Sequence, residues 1–227
     1  EIPPQTAMKH RRFFCRASVL LCALGFTVSG FAAIPLGVLQ TFTTQPTNTS
    51  WSTLGVPGTG TSITSAVEIE ESIQTNDVAL ITNSLLVRSS PVPNTSAVGA
   101  TWSSSGGFLQ TRPAGVACML LLAMVENTSG ANLSFLDVRY RFSMPALLFG
   151  EEPGLAGHHV FYSLSGLPYT WMPVPNLTTE SVPPTDGSLC ATLALGSWPA
   201  GSLLYILWAD DNGFPSIDGS FAIDDFI

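Results

Sequence analysis

The sequence predicts an all-β protein, a two-sheet antiparallel β-sandwich of jelly-roll type. Three observations carry this expectation. Short apolar or alternating runs recur between clusters of Gly, Pro, Ser, Thr and Asn. No long stretch repeats with helical periodicity. The runs number roughly ten, as a sandwich around one core needs, in a chain of 227 residues of which 45% are hydrophobic and only 11% charged.

The chain opens on Glu1, and residues 1–7 read as an upstream, non-native stretch before Met8. From Met8 a basic region (Lys9, Arg11, Arg12, Arg16) leads into the apolar run SVLLCALGFTV, and small residues follow at Ser29, Gly30, Ala32 and Ala33. This is the grammar of a secretory signal peptide over 8–33, cleaved near Ala32 or Ala33. The apolar run falls short of the ~20 residues that a membrane span needs. The expected location is therefore secreted or cell-surface, with no stable membrane insertion after cleavage. Cleavage removes four of the eight basic and one of the sixteen acidic side chains, leaving four against fifteen in a single domain over 34–227. Such an acidic, Lys-free chain does not attract nucleic-acid phosphates.

Along that domain the clearest element is Ser134–Phe142, where Leu136, Val138, Tyr140 and Phe142 share one face and Asp137, Arg139 and Arg141 the other. Alternation of this kind defines a strand with one face in the core and one in water. Ala117–Val125 is apolar on both faces and reads as a central strand covered twice. His159–Leu164 and Trp171–Val174 flank SGLPY, a Gly-Pro hairpin connection. Leu203–Trp208 and Ser220–Phe226 are two further strands, joined by the acidic loop ADDNGFPSIDG. The stretch SAVEIEESIQTNDVALI fits a helix and a strand pair equally well. The Ser/Thr-rich patches Thr41–Ser52 and Thr101–Gly107 read as surface loops.

Candidate chemistry is sparse. Asp210, Asp211, Asn212, Asp218, Asp224 and Asp225 place five carboxylates and an amide within 16 residues. Calcium takes oxygen ligands of these types, although the spacing is not that of an EF-hand, and turn formation accounts for the same residues. Trp51 and Trp102, in polar surroundings, are the candidate stacking platforms for a glycan. Cys118 and Cys190, the two cysteines left after cleavage, either form one disulfide or pack as free thiols. No Cys/His spacing for a zinc site exists. His158 and His159, as strand neighbours, point to opposite faces and do not share a metal. Glu151/Glu152, Asp210/Asp211 and Glu70/Glu71 offer carboxylate pairs for glycoside hydrolysis, with nothing in the sequence selecting one.

Three blocks, ENTSGANLSFLDVRYRF, HHVFYSLSGLPYTWMPVP and LLYILWADDNGFPSIDGSFAIDDF, occur in order between Trp102 and Phe226. In this the chain resembles a β-sandwich accessory module of secreted bacterial multidomain proteins, and more distantly the MAM and laminin-G type. The resemblance implies a module without a known reaction. It also implies that the N-x-S/T sequons at Asn48, Asn94, Asn127, Asn132 and Asn176 go unused, and that relatives continue past the position of Ile227. The expected function is a non-catalytic module that binds glycan or extracellular matrix, or acts as a surface spacer, with calcium as its candidate cofactor. The alternatives are a secreted hydrolase using a carboxylate pair and a purely structural domain of a longer surface protein.

Overall fold

The computed structural model describes residues 32–92, 94–146, 155, 157–179, 186–212 and 219–227. The expected leader lies outside them except for Ala32 and Ala33, as do Glu151, Glu152 and Asp218. The strands are β1 (Ile34–Pro35), β2 (Trp51–Val56), β3 (Leu86–Arg88), β4 (Thr101–Ser103), β5 (Phe108–Thr111), β6 (Cys118–Glu126), β7 (Leu133–Ala146), β8 (His158–Ser163), β9 (Met172–Pro173), β10 (Asp186–Trp198), β11 (Leu203–Asp211) and β12 (Ser220–Asp224). One helix, α1 (Ala66–Gln74), precedes a 3-10 turn at Val78–Leu80, and a second 3-10 turn spans Pro175–Leu177.

The first sheet runs β1-β6-β11-β8-β9, with β2 also on β6, and the second runs β10-β7-β12-β5-β4-β3. From β5 onward the chain changes sheets at every connection except β8–β9. The resulting orders, β6-β11-β8-β9 against β5-β12-β7-β10, are those of a jelly roll. Every pair in this frame is antiparallel. The sheets as a whole are mixed, which corrects the purely antiparallel expectation: β1 joins β6 and β3 joins β4 in parallel. Both are short strands brought alongside by long connections, as parallel neighbours require.

The alternation in β7 does what the pattern demands. Val138, Tyr140 and Phe142 are buried between the sheets, while Asp137, Arg139 and Arg141 stand exposed on the outer side. Strand β6 is apolar on both faces because it meets two cores. Met119, Leu121 and Ala123 pack between the sheets, and Cys118, Leu120 and Leu122 pack outward under α1, Trp171 and Phe161. The undecided stretch is helical. Ser65 caps α1 by accepting from Glu68 N at 3.3 Å, and Glu68 Oε2 reaches back to Thr64 N and Oγ1 at 2.6 and 2.8 Å. This Ser-x-x-Glu start is a capping box, and Ile69 and Ile73, one turn apart, are the buried face. Replacing Ser65 with alanine is expected to cost about 1 kcal/mol, read from denaturant unfolding; an unchanged midpoint would show that the cap contributes nothing.

Two sequence expectations are corrected, and the choice left open for the cysteines is closed. Trp51 is fully buried, stacked on Trp208 at 5.6 Å and edge-on to Phe42 and Phe226, so it is core and not a sugar platform. The Thr41–Ser52 and Thr101–Gly107 patches are not simply loops, since β2 begins in the first and β4 lies in the second. Cys118 and Cys190 form no disulfide. Cys118 faces outward from the first sheet and Cys190 outward from the second, so the whole sandwich, about 10 Å from sheet to sheet, separates two thiols that need Cα atoms within roughly 7 Å.

Candidate functional site

The acidic residues do not gather. Strand β11 runs to Asp211, so Asp210 and Asp211 are buried strand residues and not loop residues. As neighbours on a strand they point to opposite faces. Asp210 follows Ile206 and Trp208 into the sandwich, and Asp211 follows Leu207 and Ala209 to the outer side. Neither carboxylate is without an interaction partner. Asn212 spends its amide on the Val116 carbonyl at 2.7 Å and its backbone N–H on Ala117. Asp224 ends β12 on the other sheet, opposite Arg141 of β7, and Asp225 follows it outside the strand. Burial pushes the Asp224 carboxyl up; the Asp225 N–H, at 2.8 Å, and Arg141 oppose that rise. Among the described residues, which do not include Asp218, the carboxylates of the calcium reading therefore do not converge. Among the described residues no group of three or more His, Cys, Asp or Glu is placed to hold a metal ion.

His158 sits opposite Asp210 on the adjacent strand and faces the core. Its Nε2 is 2.8 Å from Thr111 Oγ1 of the opposite sheet, and Phe142 and Phe221 meet its ring at 6.1 and 5.8 Å. Thr, His and Asp in this order imitate a nucleophile, a base and an orienting acid. The environment rules the imitation out. His158 is fully buried, its Nδ1 has no hydrogen-bond partner among the described residues, and burial, helped by His159, pulls its pKa down to about 3. A general base works near the ambient pH, so this histidine is a tie between the sheets. Cys118 is no nucleophile either, since burial first, then Asp210 and Asp211, hold its thiol well above the usual range.

The exposed chemistry lies elsewhere. Tyr169, 79% exposed, is the most exposed large apolar or aromatic side chain among the described residues, and its backbone is held at φ 63°. That conformation is uncommon for a bulky residue and is a pointer to function where the surroundings enforce it. Here they do. Tyr169 N donates to Gln74 O at 2.7 Å, Gln74 Nε2 to Trp171 O at 2.6 Å, Trp171 Nε1 to Asn76 O at 2.9 Å, and Val78 N to Gly166 O at 2.9 Å. Gly166, at φ 69°, lies where a Cβ would run into Val78, so glycine is what lets the β8–β9 connection dock on the α1 segment. Ser163 Oγ holds Gly166 N at 2.9 Å and Thr170 Oγ1 at 2.7 Å from inside the same turn.

The result is an open cleft of about 390 Å³ lined by Val67, Glu70, Glu71, Gln74, Thr75 and Tyr169. Glu70 and Glu71 are exposed on α1 and Tyr169 forms the facing wall. Trp102, the other glycan candidate, is half-buried against the core, with its indole N–H given to Phe42 O at 2.7 Å. A wider, shallow cleft of about 740 Å³ lies over β7 and β10, with Asp137, Arg139, Cys190 and Thr192 among its walls. The sequence reading considered Glu70 and Glu71 only as a catalytic pair and Tyr169 only as part of a turn. The available signal was the Pro168–Tyr169 step, which places a large aromatic at a hairpin tip where no apolar face claims it.

No protein-family model matches the chain, and no curated protein matches it significantly.

Proposed function

We propose that this is a non-catalytic, exported β-sandwich module that binds glycan in the cleft between Tyr169 and α1. The observation that carries the reading is the exposed tyrosine, fixed in a left-handed conformation by bonds to the helix segment. An exposed aromatic ring offers an apolar face for the C–H side of a sugar. Glu70, Glu71 and the Thr75 hydroxyl offer acceptors for its hydroxyl groups, and the stapled turn removes much of the ordering cost of binding. The buried, neutral His158 and the divided acids supply no catalytic pair. Glu70 and Glu71 stand on one wall of the cleft, on α1, and not on opposite sides of a bound sugar as glycoside hydrolysis needs, which favours binding.

Replacing Tyr169 with alanine is expected to weaken glycan binding about tenfold, the loss of one stacking contact, with little change in melting temperature. Calorimetric titration with soluble polysaccharides measures this. Undiminished affinity in the variant, or release of reducing sugar by the intact chain, would contradict the reading.

A further inference from the structure

The cleft beside Tyr169 carries charge of one sign. Val67, Glu70, Glu71 and Gln74 stand at i, i+3, i+4 and i+7 of α1, so one face of the helix forms the wall opposite the ring. Val67 is 64% exposed there and adds apolar area beside Tyr169, while Ile69 and Ile73 take the buried face. Glu70 and Glu71 are exposed, and among the described residues neither has an ion pair or a side-chain hydrogen bond. The other acids of this segment have structural partners: Glu68 bonds to Thr64 N at 2.6 Å, and Asp77 to Ala79 N at 2.8 Å. Glu71 opens the last turn of α1, which holds no basic residue, and a helix C-terminus is itself negative by about half a charge. Nothing balances these charges from across the fold. From residue 34 on the chain has no Lys and four Arg, and all four lie in or next to strands of the second sheet: Arg88 ends β3, Arg112 follows β5, and Arg139 and Arg141 are in β7. Helix α1 packs on the outer side of the first sheet. The sandwich between them is about 10 Å from sheet to sheet, against a screening length of about 8 Å at physiological salt.

From these features we infer that the glycan taken by the cleft is cationic, a hexosamine chain whose amino groups are free and protonated. The inference rests on the glycan reading above and adds the charge of the ligand to it. An ammonium group beside Glu70 and Glu71 makes charge-assisted hydrogen bonds to carboxylates that have no other partner. The face of Tyr169 attracts a cation as well as the C–H side of a sugar ring. The same field repels uronate and sulfate groups, so charge selects among glycans of similar shape. A cleft of about 390 Å³ has the size of a small-ligand site. Its apolar patch, Tyr169 with Val67, suits a sugar ring, whereas a run of lysines needs only the carboxylates.

The test is calorimetric titration of the full chain with a glucosamine hexamer, its fully N-acetylated counterpart, a galacturonate hexamer and tetralysine. Acetylation removes the charge and keeps the ring. The glucosamine hexamer is expected to bind about tenfold more tightly than the acetylated one, the effect of two exposed ion pairs. That gap narrows as salt is raised, and the galacturonate hexamer binds least. In Glu70→Gln/Glu71→Gln the two amino-sugar oligomers bind alike, with a melting temperature near wild type because both positions are exposed. Tyr169→Ala weakens both. Equal affinity for the two oligomers in wild type, tighter binding of galacturonate, or a preference that survives in the glutamine pair would overturn the inference and leave the glycan reading standing. Tetralysine binding as tightly as the glucosamine hexamer would overturn it by making the ligand a basic peptide. Binding that is indifferent to Tyr169 for every oligomer would remove the glycan reading itself, and this inference with it.

Discussion

Replacing Trp51 with alanine is expected to destabilise the chain by about 3–5 kcal/mol. Trp51 opens β2, yet its ring lies at the centre of the sandwich, 5.6 Å from Trp208 and 5.1–5.2 Å from Phe42 and Phe226. Tyr140 and Phe226 meet Trp208 at 5.6 Å in turn, so the five rings form one continuous cluster joining the two sheets. Truncation leaves a cavity whose walls are other aromatic rings, too large and too rigid to collapse into it. For a domain of this size the loss lowers the melting temperature by roughly 2–4 °C per kcal/mol, close to ten degrees in all. A change of under about 1 kcal/mol, the range of surface substitutions, would put Trp51 back on the surface and undo the burial on which the fold account depends.

The second large effect is a pH dependence. Folded His158 stays neutral until its pKa of about 3, whereas the ordinary value is 6.5. Between these two values the unfolded chain therefore holds one proton more than the folded chain. Stability falls as the solution is acidified through that window, at up to about 1.4 kcal/mol per pH unit, and the contribution is fully present above it. Carboxylates protonate in the lower part of the same window, so the informative quantity is the difference between wild type and His158→Gln. Glutamine keeps a hydrogen-bonding group near Thr111 and removes the titration. Urea unfolding from neutral pH to about pH 4 should show the variant losing less stability than wild type, by a margin that grows toward the acid end. Parallel curves would mean that His158 titrates normally and is not the buried tie between the sheets.

The sequence exposed the fold wherever burial imposed a regular pattern. Strand β7 alternates because one face packs and the other is wet, and β6 is apolar throughout because it is covered on both sides; both patterns could be read directly. Strand β10 went unread, although Leu189, Ala191, Leu193 and Leu195 alternate within it, because small neutral residues between them blur the contrast. Trp51 was misread for a related reason: its neighbours in sequence are polar, while its neighbours in space come from β11, the segment before β2 and the residues after β12. The capping box at Ser65 was legible and would have settled the helix.

The candidate site was less legible than the fold, for a physical reason. Sequence does not say where a strand stops. Extending β11 by three residues past Trp208 turns the start of an acidic loop into two buried carboxylates on opposite faces, and so parts two residues that the calcium reading had grouped. Tyr169 shows the converse. Its place after Pro168 at a hairpin tip is the one local sign of exposure, while its orientation comes from a left-handed backbone enforced by Gln74, which is 95 positions away in sequence.

The account's central claim is that the working surface is the Tyr169–α1 cleft and that the Asp210 end of the sandwich is structural. Amide chemical-shift mapping of the isotope-labelled full chain, titrated with a panel of neutral oligosaccharides, tests it most directly. The account predicts concentration-dependent shifts centred on Tyr169, Thr170, Gln74 and Glu71 with the sugar recovered intact. Shifts centred on His158, Asp210 and Asn212, or a cleaved sugar, would contradict it.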